Sequence, residues 1–81
     1  MDKQIEVNQL IKDNQPENYN LKWVVLLVWE SPISNILEHR TGAFDSYIEA
    51  DMFARHLDSR YKELNLVHSV YIIGNGQMTF I

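Results

Sequence analysis

Glu38-His39-Arg40, followed by Asp45-Ser46, puts an acid, a base, a cation and a hydroxyl into one short stretch. If Ser46 opens a helix, the bare N–H groups of its first turn can hold an anion, and Arg40 could add a counter-charge. A phosphate or carboxylate contact at Arg40 and Ser46 is the chemical reading of this stretch. The plainer reading carries more weight. Ser46 and Glu49 fit the capping-box spacing, with Asp45 as a competing cap, and Glu38 and Arg40 suit solvated strand positions.

Other chemistry finds less support. His39, His56 and His68 stand too far apart for helical metal ligation, and no His-Glu-x-x-His occurs. No metal and no cofactor is expected. Gly74-Asn75-Gly76 precedes a short apolar run rather than a helix and lacks the Lys-Ser/Thr of a phosphate loop, so it reads as a turn. There is no Gly-x-Ser-x-Gly elbow, and with no cysteine there is no thiol nucleophile. Asp51, Asp58 and Glu63 have basic neighbours and read as solvated carboxylates. An enzyme is not expected. Tyr19, Trp23 and Trp29 could stack on bases, but only Lys22 lies near them, on the opposite strand face, so core packing is the better reading.

The elements that would position these residues follow from periodicity. Residues 3–13 read as a short helix, with Val7, Leu10 and Ile11 on one face. Residues 14–20 form a polar linker in which Pro16 blocks helix continuation. Residues 21–30 give the strongest strand signal. Trp23, Val25, Leu27 and Trp29 point one way and Val24, Leu26 and Val28 the other, so this strand should be central and covered on both faces. Ser31-Pro32 ends it. Residues 35–41 suggest a second strand, with Leu37, His39 and Thr41 on one side and Ile36, Glu38 and Arg40 on the other; Gly42 then frees the backbone.

Residues 46–64 form the clearest helix. Ala50, Phe53, Ala54, Leu57, Tyr61 and Leu64 make its apolar face, with Tyr47 at the margin. Residues 66–73 and 77–81 read as two strands joined by an Asn-Gly turn. The expectation is a single small α+β domain over residues 1–81 in the order α-β-β-α-β-β. A mainly antiparallel sheet of three to four strands occupies 21–81, with the long helix on one face. The amino-terminal helix, a second copy or a partner would cover the other.

Bulk properties bound the function. An 81-residue chain with 46% hydrophobic residues suits one domain of modest stability. The absence of cysteine fits a cytoplasmic setting. The first residues lack the basic and apolar regions of a secretory signal, and the longest apolar run, Trp23 to Trp29, is far short of the ~20 residues that span a bilayer. Net charge is −4, and no segment is basic, which argues against nucleic acid as a partner.

Two features point to another protein. Ile48 and Met52 are four apart on the wet side of the long helix, beside Arg55 and Ser59, and make an apolar spot with a polar rim. Residues 66–81 carry no Asp, Glu, Lys or Arg, and such a strand-like tail must be paired, covered or used for binding. Met78, Thr79, Phe80 and Ile81 are therefore the second set of protein-binding candidates. The expected function is a small non-catalytic protein-binding module. It would serve as an adaptor, a regulator or an inhibitor of a larger protein, like compact acidic proteins that phages and bacteria encode. A homodimeric assembly protein is the alternative.

Overall fold

The computed structural model describes residues 3–18 and 22–81. Helix α1 spans Lys3–Asp13 and is followed by a 3-10 turn at Pro16–Asn18. Strands β1 (Trp23–Glu30) and β2 (Leu37–Phe44) lead into helix α2 (Tyr47–Glu63), then β3 (His68–Gly74) and β4 (Gln77–Phe80). The four strands form one antiparallel sheet in the order β2-β1-β3-β4. Because β1 lies between β2 and β3 and opposes both, α2 is the crossover that returns the chain over the sheet. The α-β-β-α-β-β order expected from periodicity is the order observed.

The doubly apolar pattern of β1 has its physical cause in this position. Val25 and Leu27, with Val70 and Ile72 of β3, pack under Ala50, Ala54, Leu57 and Tyr61 of α2. On the opposite face Leu26, Val28, Tyr71 and Ile73 meet Val7, with Leu10, Ile11 and Leu37 packed alongside. The amino-terminal helix is therefore what covers the β1–β3 part of the second face. Each fully buried aliphatic side chain contributes about 1.5–3 kcal/mol of hydrophobic stabilisation, and eight of them, all in β1 and β3, are less than 2% exposed. Lys3 at the start of α1 pairs with Glu30 and also reaches the Asn35 side-chain carbonyl at 3.3 Å, tying that helix to the loop end of the β1–β2 hairpin.

The caps of α2 explain its bounds. Ser46 takes an extended conformation and accepts a hydrogen bond from the Glu49 N–H at 3.4 Å, so Ser46, not Asp45, is the N-cap. At the other end Asn65 adopts φ 57°. The Leu66 N–H then bonds the Tyr61 carbonyl and the Asn65 N–H that of Lys62. This is a Schellman closure with asparagine in the left-handed position.

Several boundaries differ from the periodicity reading. The second strand runs over Leu37–Phe44 rather than 35–41, and Gly42 lies inside it opposite Val25. Gly42 does not release the backbone; it makes room, because a Cβ there would sit 3.0 Å from the Phe53 ring. Leu64 does not join the buried face but is 56% exposed, since the Schellman turn carries it past the end of the sheet. Leu66 and Val67 precede β3, which starts at His68. Leu21 and Tyr19 lie outside the described residues. The terminal turn is as expected: Asn75 and Gly76 both have positive φ, 53° and 73°, the type I′ geometry that matches strand twist.

Candidate functional site

The outer face of α2 presents Ile48, Met52, Arg55 and Ser59 at successive spacings of four, three and four, one continuous strip along the helix. Ile48 is 73% exposed and Met52 66%. Neither the amino-terminal helix nor the 31–36 connection covers them. Below them the Arg55 Nε donates to both carboxylate oxygens of Asp51 at 3.1 Å. This pair holds the guanidinium against the helix and leaves the apolar spot open between Glu49 and Arg55. The core-facing side of the same helix combines the small residues Ala50 and Ala54 with Leu57 and Tyr61, so its apolar contacts go to the sheet and the outer strip is left to solvent.

The carboxy-terminal strand is a second exposed surface. Every residue of β4 is exposed, although its inner edge is fully paired with β3. The register sets Phe80 opposite Tyr71 and Met78 opposite Ile73, so both lie on the α1 side of the sheet. Helix α1 packs nearer β1 and leaves them bare. The Phe80 ring meets Tyr71 edge-on at 5.3 Å between centroids. Thr79 faces the α2 side. Ile81 differs from its neighbours: it packs against the α2-side core, and its N–H bonds the Val70 carbonyl at 3.0 Å. Its side chain therefore anchors the strand rather than presenting a docking surface.

The anion-binding candidates are not brought together. Ser46 caps α2. Arg40 is opposite Leu27, halfway along β1; the four strand steps from Arg40 to Phe44 cover about 13 Å, and Asp45 lies between them and the Ser46 cap. The tryptophans do not form an open platform either. Trp23 stacks on Tyr47 at 5.0 Å and Trp29 packs on Tyr61 at 5.3 Å, both beneath α2.

The histidines lie on three separate surfaces. His39 borders a shallow groove with Glu6, Gln9, Leu10, Ile36 and Leu37, between α1 and β2. His56 is exposed on α2. His68, with a side chain only 9% exposed, places Nε2 2.9 Å from an Asp58 carboxylate oxygen and Nδ1 2.9 Å from the Leu66 carbonyl. The neutral ring donates to one of these acceptors and the charged ring to both. Periodicity missed this pair, because Asp58 and His68 sit on different elements and Asp58 already has an i,i+4 partner in Lys62, whose ammonium is 3.8 Å away. The Asn65 turn is what brings them together. Among the described residues no group of three His, Asp or Glu side chains is placed to hold a metal, and no helix is long and apolar enough to cross a membrane.

No family model matches the chain, and neither a curated protein nor a solved structure does.

Proposed function

We propose that the chain is a small non-catalytic protein-binding module that regulates, adapts or inhibits a larger protein through the outer face of α2. The observation that carries this reading is the pair Ile48 and Met52, two large apolar side chains about two-thirds or more exposed, four apart on one helix face. Grouped exposed apolar residues with a polar rim are a recurrent mark of protein contact surfaces, and methionine adapts readily to a partner's shape. Arg55, held against Asp51, and Ser59 supply the rim. The mode is an amphipathic helix laid into a partner's groove, with Ile48 and Met52 as anchors. A cytoplasmic setting belongs to the same proposal.

The test is capture combined with site-specific photo-cross-linking. A photoreactive residue at position 52 should give one dominant cross-linked protein from host lysate. The same protein should be lost from a bait carrying Ile48→Glu and Met52→Lys. A wild-type bait that retains nothing, or a double variant that retains the same protein equally well, overturns the reading.

A further inference from the structure

We propose that β4 pairs with itself: two copies join their fourth strands antiparallel about a two-fold axis at Thr79, extending the four-stranded sheet to eight strands. This inference stands apart from the α2 surface and does not depend on it.

The backbone fixes which groups are available. The Ile81 N–H donates to Val70, and antiparallel pairs alternate between hydrogen-bonded and non-hydrogen-bonded. In the register of Gly74 with Gln77, Ile73 with Met78, Ile72 with Thr79 and Tyr71 with Phe80, Gln77, Thr79 and Ile81 therefore bond inward. Met78 and Phe80 turn their N–H and C=O groups to the free edge.

A strand laid beside its own copy in antiparallel fashion keeps like face beside like face. Residues directly opposite must then share a face. Three registers place outward-facing residues opposite one another: Met78 with Met78, Phe80 with Phe80, or Met78 with Phe80. The first two form one hydrogen-bonded pair at the seam. The third, centred on Thr79, forms two, and satisfies every edge group of both strands. It also sets the Met78 thioether of each copy beside the Phe80 ring of the other. Those side chains are 48% and 62% exposed on the α1 face. Sulfur–aromatic contact is favourable in this arrangement.

Charge selects this edge over the opposite one. Each copy carries −4 overall, but residues 66–81 contain no Asp, Glu, Lys or Arg, so the β4 side chains bring no like charges together at the seam. The outer edge of β2 bears exposed Glu38 and Arg40, the charged guard that discourages edge pairing. Helix α2 packs over β1, β2 and β3, which leaves the β4 side clear for a second copy. A four-residue edge falls short of the ~1,200 Å² at the lower end of stable interfaces. The dimer is accordingly weak, populated towards millimolar protein.

Sedimentation equilibrium and backbone NMR of the full chain, from about 20 µM to about 2 mM, test this. The expected result is a monomer–dimer equilibrium with concentration-dependent amide shifts centred on Met78 and Phe80. Met78→Lys or Phe80→Glu alone should lower the association constant at least about tenfold. The double variant should associate more tightly than either, because the new lysine at 78 then opposes the new glutamate at 80 of the other copy. Thermal melting of each variant checks that the fold is kept, and Met78→Pro, which removes an outward N–H only, gives an independent loss of pairing. A monomer at every concentration, shifts centred on residues 37–44 or on α2, or a double variant no better than the singles overturns the proposal.

Discussion

His68 of β3 and Asp58 of α2 meet at 2.9 Å beneath the last turns of the crossover helix. This is the described side-chain bridge between α2 and the sheet, and it sits where Tyr61 also packs, 6.0 Å from the imidazole. Hydrogen bonds that involve a charged group contribute about 1.5–3 kcal/mol when partly shielded. His68→Ala and Asp58→Ala should each lower unfolding stability by about 1–2 kcal/mol. A double-mutant cycle by urea denaturation should return a coupling of about 1 kcal/mol. Additive losses would mean that the two side chains act separately.

Gly74 ends β3 against Trp23. A Cβ at that position would lie 2.3 Å from the indole Cε3 and 2.6 Å from the Lys22 carbonyl oxygen. Gly74→Ala must therefore displace backbone as well as a ring, at a cost of about 1–3 kcal/mol or more. Gly42→Ala meets only side-chain ring atoms, of Phe53 at 3.0 Å and of Phe44 at 3.2 Å, and both rings are half-buried and can tilt. Thermal melts should rank Gly74→Ala well below Gly42→Ala, and the reverse order would contradict the packing described for Trp23.

These two glycines also mark how far periodicity reaches. β1 was legible because its two faces, Val25/Leu27 and Leu26/Val28, are each matched by a helix, so burial on both sides appears as an unbroken apolar run. The Asn75-Gly76 turn was legible because positive φ at both positions restricts the residue types. Gly42 was misread as a breaker, since nothing local reveals that the Phe53 ring arrives above it. The same limit hid the His68–Asp58 contact, which is tertiary. It also misjudged Leu64, whose spacing fits the buried face although the sheet ends before reaching it. The outward strip on α2 was legible from Ile48 and Met52 alone, because a polar helix face makes an apolar pair conspicuous. That Ile81 anchors β4 rather than facing solvent depends on the β3–β4 register, which pattern does not supply.

Helix α1 is held by packing more than by charge. Val7 is its one buried apolar residue among those described, set against Leu26, Val28, Tyr71 and Ile73. Val7→Asp would put a carboxylate into that cluster and should cost about 3 kcal/mol or more, releasing the helix from the sheet. Lys3, with its side chain 40% exposed, contributes little by its ion pair with Glu30; Lys3→Met should change stability by less than about 1 kcal/mol. Hydrogen exchange should show the sheet amides losing protection in Val7→Asp but keeping it in Lys3→Met.

Ile48 separates stability from binding. It is in the first turn of α2, where a carboxylate interacts favourably with the helix dipole and where glutamate is a better helix former than isoleucine. Since Ile48 is 73% exposed, its replacement removes almost no core contact. Ile48→Glu should therefore leave stability unchanged or raise it by about 0.3–1 kcal/mol, and Met52→Lys should stay within about 0.5 kcal/mol of the parent. Partner capture should nonetheless fall at least about tenfold for either. Loss of capture without loss of stability is the outcome that the proposed docking role requires of this position. If calorimetry finds Ile48→Glu destabilised by more than about 1 kcal/mol, the side chain serves the fold and the docking role of this face is lost.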